Sequence, residues 1–374
     1  MDNSRLFLFA ALVFVGMLLW QQWQADYGPQ PVTSSEIEAS GINQDQPAGL
    51  IADDLPDQAE NASGSAATAT SSTGESASTT TAAQQLLRIE TDVVQALVDT
   101  KGGVLRSIKL KKYPISLEQP DDGLELIHST INSAHVLQSG LRNKEDRAPN
   151  HYSIYQADRL EYELADGEDE LIVPLRWSQD GIEVIKTFHF KRGDYLIDVK
   201  HHINNQSAQD WLGSEYRQIQ RTRPLETSRL LYTYTGSVYY NEITKYEKVD
   251  FDDMEDSQLK LESTGGWIAM IQHYFLSAWI PGQEDQNLIY SISNTKRDPS
   301  TYTIGLRSQN RLVAAGGEGE FSSQLFVGPK IVRRLEEISP GLELTVDYGV
   351  LTFLSKPLYW LLSWYHGFVG NWGV

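Results

Sequence analysis

The chain has 374 residues, no cysteine, and 50 acidic against 31 basic side chains, which gives a formal net charge of −19. This acidic excess argues against nucleic acid as a partner, because a phosphate backbone attracts basic surfaces. The lack of cysteine excludes disulfides and a lipid anchor on an N-terminal cysteine. A chain of this length buries a hydrophobic core large enough to be stable without disulfides.

The first predicted element is a transmembrane anchor over residues 6–23, LFLFAALVFVGMLLWQQW. A helix of this length measures about 27 Å, close to the thickness of a bilayer core. Trp20 and Trp23 then lie at the headgroup boundary, where tryptophan is favoured. A cleaved signal peptide is the alternative, but the bulky WQQW at the exit does not resemble a cleavage site.

The basic residues around the anchor predict its orientation. Arg5 precedes the anchor, and the next basic residue along the chain is Arg88. Because basic residues stay in the cytoplasm, residues 1–5 are expected inside and the rest of the chain outside.

Residues 24–85 are predicted to form a disordered, acidic linker. Residues 62–83 consist almost wholly of Ala, Ser, Thr and Gly. Such a composition buries too little apolar surface to offset the entropy of ordering the chain. A flexible coil of about 60 residues has a mean reach of about 45 Å, so this segment is a tether.

Residues 86–352 are predicted to form an all-β domain, a large sandwich, with one or two short helices. Short runs of alternating apolar and polar residues follow one another there, with turn residues between them. This spacing is typical of sandwiches built from antiparallel strands.

Segments 182–190 and 195–203 predict one hairpin of this domain, joined by the turn KRGD. Pairing Phe190 with Tyr195 produces one apolar and one polar face, as a half-buried antiparallel pair requires. Lys186 is the misfit on the apolar face.

Two segments have helical features. Residues 329–338, PKIVRRLEEI, begin with proline and are followed by Ser-Pro-Gly, which predicts a short helix. Residues 267–279 have apolar residues at helical spacing, but two buried strands broken at Gln272–His273 fit nearly as well.

The histidines are the first candidates for chemistry, because the sequence contains no common nucleotide, metal or nucleophile motif. His201 and His202 are adjacent on a predicted strand, so they face opposite ways and cannot bind one ion together. In the predicted register His202 lies opposite Glu183. His273 is expected to pack in the core or a turn. No catalytic, cofactor or metal site is predicted.

A second candidate is the basic cluster of Arg217, Arg221 and Arg223 in EYRQIQRTRP. One interpretation is contact with an acidic partner, and the other is a strand face with solvated arginines.

Residues 353–374 are predicted to form an amphipathic helix lying in the outer membrane interface. The apolar part is about 18 Å long as a helix, too short to span a bilayer. Its aromatic residues suit the headgroup region. The residues expected at the interface are Pro357, Tyr359, Trp360, Leu361, Trp364, Tyr365, Phe368 and Trp372. The alternative is a C-terminal core helix of the domain.

Several motifs resemble the amino-terminal part of the YidC/Oxa/Alb family of membrane protein insertases. The resemblance begins at the anchor with its WQQW exit and covers nearly the whole chain. The motifs that carry it are DTKGGVLRSIKL (99–110), FKRGDYLIDV (190–199), GGWIAMIQHYFLSAWIP (265–281), LFVGPK (325–330), LELTVDYG (342–349) and KPLYWLLSWYHGFVGNWG (356–373).

The resemblance implies a protein of the bacterial inner membrane whose body is a periplasmic β-supersandwich similar to that of sugar mutarotases. It implies insertion and chaperoning of nascent membrane proteins, alone or with the Sec translocon and its accessory subunits, without a cofactor. The helix 353–374 would lead into a second transmembrane span. The five-helix insertase core of the family would follow Val374, so this chain by itself is not expected to insert substrates.

Two other functions remain open from the sequence. A membrane-tethered carbohydrate-binding or carbohydrate-modifying domain would need a histidine base and a carboxylic acid in an open cleft. An adaptor would use the C-terminal helix to bind a partner protein instead of lipid.

Overall fold

The computed structural model describes residues 55–56, 84–116, 118–224 and 234–346. These residues form two β-sheets that share one hydrophobic core, so the predicted all-β sandwich is confirmed. The predicted anchor 6–23, the helix 353–374 and most of the linker 24–85 lie outside the described residues. Within the described ranges, no helix has the length and apolar character that crossing a bilayer requires.

Eleven strands of the described residues form the larger sheet. In spatial order they are β14 (Lys260–Thr264), β17 (Gln286–Asn294), β18 (Thr301–Ser308), β11 (Trp211–Thr222), β5 (Ala134–Asn143), β4 (Gln119–Ser129), β3 (Val104–Ser116), β2 (Val94–Asp99), β1 (Leu86–Glu90) and β7 (Glu161–Glu163), and β19 (Arg311–Val313) also pairs with β11. All of these pairs are antiparallel except that of β1 with β7.

Nine strands of the described residues form the second sheet. Their order is β13 (Lys245–Val249), β12 (Gly236–Asn241), β15 (Trp267–Gln272), β16 (Phe275–Pro281), β20 (Glu318–Pro329), β10 (Leu196–Asn205), β9 (Ile182–Lys191), β8 (Glu170–Gln179) and β6 (Gln156–Ala157). Two of the shortest strands, β6 and β7, lie at sheet edges, where short strands offer little backbone for unwanted pairing.

The core between the sheets follows from alternation. Strand β9 buries every second residue from Ile182 to Phe190 and exposes the others more, as expected for period 2. Strand β11 differs, because eleven of its twelve residues are buried. It is therefore covered on both faces, which places its polar side chains inside the protein.

Three short helices accompany the described strands: α1 (Phe251–Asp256), α2 (Val332–Ile338) and a 3-10 turn (Leu342–Thr345). Helix α2 confirms the helix predicted near residues 329–338, although Pro329 still belongs to β20. Leu335 of α2 packs with Trp267 in a second apolar cluster. Helix α1 was not predicted.

Residues 267–279 form two strands, so the helical alternative is wrong. Strands β15 and β16 make a hairpin whose last pair is Gln272 with Phe275. His273 has a φ of 45° and forms the exposed turn with Tyr274. The apolar spacing imitated a helix because both strands are buried over almost their whole length.

The predicted hairpin of β9 and β10 is confirmed, but its register is wrong by two residues. Phe190 pairs with Ile197 instead of Tyr195. The turn is therefore longer than predicted, and in it the carboxylate of Asp194 accepts hydrogen bonds from the backbone N–H groups of Tyr195 and Leu196, at 2.8 and 3.2 Å. A shift of two residues preserves the faces, so the apolar side is as predicted.

Candidate functional site

A cluster of charged and polar side chains lies in the core where β9 and β10 face β5 and β11. Its members are Lys186, His201, Glu215 and Arg217, each at most 1% exposed. Strands β9 and β10 contribute the lysine and the histidine, and β11 contributes the carboxylate and the guanidinium. Because an unpaired buried charge is strongly unfavourable, the partners of each group decide what this cluster can do.

Lys186 is held by three backbone carbonyls. Its Nζ donates to the oxygens of Gly102, Gly103 and Ser139 at 3.0, 2.9 and 3.0 Å. Three acceptors match the three N–H bonds of an ammonium group. Burial lowers the pKa of Lys186 to about 7, and the negative charge of Glu215 opposes this shift. The lysine therefore joins the second sheet to two segments of the larger one.

The two glycines of the motif DTKGGVLRSIKL form the turn that receives Lys186. Both have positive φ, 76° for Gly102 and 56° for Gly103, a conformation that favours glycine. A Cβ on Gly103 would lie 2.9 Å from the Lys186 side chain. The glycine pair thus supplies both the turn and the space for the lysine.

Glu215 connects the other two members. His201 Nδ1 lies 2.7 Å from Glu215 Oε1, and Arg217 Nη2 pairs with Glu215 Oε2. Burial raises the pKa of Glu215, but Arg217 and His201 outweigh it, so the carboxyl pKa lies below its usual value. Burial lowers the pKa of His201 more than Glu215 raises it, so neutral His201 donates its Nδ1–H.

Arg217 also borders a cleft of about 360 Å³. Other side chains that line it are Glu284, Asp285, Gln309, Arg311 and Phe321. The carbohydrate alternative requires His201 beside a carboxylate in an open cleft. His201 and Glu215 are adjacent, but the side chains of both are 0% exposed, and neither lines this cleft. The geometry does not favour sugar chemistry at this pair.

The predicted arginine cluster is divided between core and surface. Arg217 and Arg221 are 1% and 5% exposed, so a solvated face is wrong for both. Arg221 donates to Gln272 Oε1 at 2.7 Å. Arg223 is 45% exposed and pairs with two carboxylates of α1, Asp252 at 2.7 Å and Glu255 at 3.1 Å. Contact with an acidic partner stays a prediction, with Arg223 the most accessible member.

The histidines predicted to be structural occupy different environments. His201 is fully buried, while the His202 side chain is 38% exposed and lies 3.7 Å from Glu318, so the two face opposite ways as predicted. The predicted pairing of His202 with Glu183 is wrong, because β10 is shifted and Ile185 lies there. Among the described residues, no three His, Asp or Glu side chains gather as metal ligands would.

The membrane-interface residues predicted from Trp20 to Trp372 all lie outside the described residues, so they stay predictions. Sequence reasoning missed Glu215 and the glycine turn as parts of one cluster. The available signal was Lys186, a lysine on an otherwise apolar strand face. A cation placed there needs buried acceptors.

Acid is expected to destabilise the domain through its buried histidines. His135 is buried on β5, where Nδ1 contacts Leu126 O at 3.1 Å and Nε2 contacts Ser277 Oγ at 3.0 Å. Burial, with Arg221 nearby, lowers the pKa of His135 well below 6.5. Below about pH 6.5, His135 therefore binds a proton in the unfolded chain but stays neutral in the folded protein. The free energy of unfolding should therefore fall by about 2 kcal/mol for this group between pH 7 and 5.

Urea unfolding at both pH values checks this prediction in the unchanged protein and in His135→Gln. The variant should lose about 2 kcal/mol of the pH-dependent difference. The matched control, His202→Gln on the surface, should keep it. An unchanged pH dependence in His135→Gln would contradict the assignment.

Comparison with known proteins assigns the family. Residues 86–361 match a family model described as the YidC periplasmic domain. The chain belongs to the YidC family. This YidC-family chain is 42% identical over 385 residues to a protein named membrane protein insertase YidC from Thioalkalivibrio sulfidiphilus, covering 100% of this chain and 67% of that protein. A protein of the same name from Methylococcus capsulatus is 42% identical over 377 residues, covering 100% and 66%.

The YidC-family chain thus spans about two thirds of the length of these relatives. Among solved structures, a galactose mutarotase related enzyme from Lactobacillus acidophilus has a TM-score of 0.42 at 8% identity, covering 65% of this chain and 97% of that one. The Slr1438 protein from Synechocystis has a TM-score of 0.41 at 10% identity, covering 68% and 100%. At these scores no activity or ligand follows from the likeness.

Proposed function

We propose that this chain is the amino-terminal part of a bacterial inner-membrane insertase that assists the insertion and folding of integral membrane proteins. The observation that carries the proposal is that relatives named membrane protein insertase align over the whole chain. The alignment includes residues 6–23 and 353–374, the two apolar segments expected at the membrane. The matched family model, of a periplasmic domain, supports placing residues 86–352 outside the cytoplasm.

In this proposal the two ends of the chain act at the bilayer and the domain between them is a rigid, non-catalytic body. Residues 1–5 lie in the cytoplasm and residues 6–23 cross the membrane. The helix 353–374 lies at the outer surface with its aromatic side chains among the headgroups. Nascent membrane proteins are the substrates, and the Sec translocon is a partner. The closed His201–Glu215 pair supports a body without sugar chemistry.

A chimera tests the function. The chain is joined to the remaining C-terminal third of the Methylococcus capsulatus relative and expressed in bacteria depleted of their own insertase. The chimera should restore membrane insertion of a reporter protein, measured by protease protection of its periplasmic loop. The chain alone should not restore it, because it spans about two thirds of the length of the relatives named insertase.

Two arms accompany the chimera. Protease added to spheroplasts should digest the acidic domain, and Trp360→Glu/Trp364→Glu should weaken insertion by disturbing the interfacial helix. A matched control, Tyr274→Glu at an exposed turn, should leave insertion unchanged. A domain protected inside the cell, or a folded chimera without insertion, would contradict the proposal.

A further inference from the structure

A groove lies on the outer face of the larger sheet, along β17. Leu288, Tyr290 and Ile292 alternate with Ile289, whose side chain is in the core between the sheets. They therefore face the opposite side, away from the second sheet. All three line a groove of about 110 Å³. An apolar strip on an outer face is a surface that another segment can cover.

The groove has a cation on each side. Lys260 of β14 lies in register with Tyr290, and Arg307 of β18 lies in register with Leu288. Both Lys260 and Arg307 line the groove. The surface therefore combines an apolar floor with basic edges, which suits an apolar segment flanked by carboxylates.

The linker supplies such a segment. Leu55 and Pro56 line the same groove, and Pro56 is buried. The sequence around them is Asp53-Asp54-Leu55-Pro56-Asp57, with carboxylates on both sides of the apolar pair. Proline also reduces the entropy lost when a chain is fixed, because its φ is already restricted.

We propose that Leu55–Pro56 is a docking motif that binds the β17 groove and fastens the middle of the linker to its own domain. The groove is then a recognition site for acid-flanked Leu-Pro segments, occupied in cis. When the motif is docked, the free coil between the anchor and the domain has about 30 residues instead of about 60. The mean reach falls from about 45 to about 30 Å. The free part of the tether is therefore about half as long as the linker sequence suggests.

Proteolysis of the detergent-solubilised full chain tests docking. A protease that cuts before aspartate has sites at Asp53 and Asp54 directly before the motif, at Asp57 directly after it, and at Asp45 earlier in the linker. Leu288→Glu changes the groove but leaves the linker sequence intact. The preference of the protease for each site is therefore the same in the unchanged chain and in the variant. Cleavage at Asp57 should become about tenfold faster in this variant, while cleavage at Asp45 stays the same.

Two further variants keep this test decisive. Lys260→Glu, at an exposed position, should accelerate cleavage at Asp57 by about threefold without affecting the fold. Ile172→Glu, an exposed apolar residue on the second sheet, is the matched control and should change nothing. Thermal unfolding verifies that each variant is folded. Equal cleavage at Asp57 in the unchanged chain and in folded groove variants overturns the proposal.

A peptide of residues 51–60, IADDLPDQAE, tests recognition separately. It should bind Leu55→Ser/Pro56→Ser about tenfold more tightly than the unchanged chain, in which the linker competes for the groove. Leu288→Glu added to that variant should abolish binding, and a scrambled peptide should not bind. Protection of Asp57 that disappears on about hundredfold dilution would show docking by a second copy and overturn docking in cis.

Discussion

Glu215→Gln is expected to lower the free energy of unfolding by about 3–5 kcal/mol at neutral pH. The substitution preserves shape but removes the negative charge between Arg217 and His201. Arg217 then remains buried with an uncompensated positive charge, and Asn287 Oδ1 at 3.3 Å is a weak replacement. Urea unfolding followed by tryptophan fluorescence measures the change.

Two variants separate charge burial from packing. Glu320→Gln, an exposed carboxylate paired with Lys200, is the matched control and should change stability by less than about 0.5 kcal/mol. Glu215→Leu/Arg217→Met removes both charges and should recover most of the loss, because apolar residues of similar volume replace a buried pair well. A loss below about 1 kcal/mol in Glu215→Gln would contradict this account.

Lys186→Met should be similarly destabilising, by about 3–5 kcal/mol. The methionine fills the volume but leaves three carbonyl oxygens without their donor. Lys200→Met, on the exposed face of the neighbouring strand, is the control and should change stability little.

The pH dependence gives a second readout for Lys186. The folded pKa is about 7 and the ordinary value is 10.5, so the folded state binds fewer protons between these values. The free energy of unfolding should therefore rise by about 2 kcal/mol from pH 7 to 9, and this rise should be absent in Lys186→Met. An identical alkaline profile in both proteins would mean that the lysine does not titrate there.

Sequence periodicity predicted the class of the fold and the faces of β9 and β10, because those depend only on alternation. It did not predict the register, because a shift of two residues leaves the same side chains on each face, so alternation cannot distinguish the two registers. Nor did it predict the burial of Arg217. A charged side chain normally faces water. Arg217 does not, because β11 is covered on both faces by other parts of the domain.

The cluster itself was not predictable for a related reason. Its partners come from residues 102–103, 139, 186 and 215, and sequence spacing alone does not reveal which of them meet. Strand pairing and sheet packing bring them together. The short helix at residues 251–256 escaped detection because six residues are too few for helical periodicity to appear.

The lysine contact also dictates an order of events while the polypeptide is being made. Gly102, Gly103 and Ser139 are synthesised first. Their carbonyl oxygens cannot accept the hydrogen bonds from Lys186 Nζ until residue 186 has been added. Contacts so distant along the chain close late and slowly. The second sheet closes later still, because β10 pairs with β20, which ends at Pro329, so the sandwich reaches its final form only after nearly the whole domain has been synthesised.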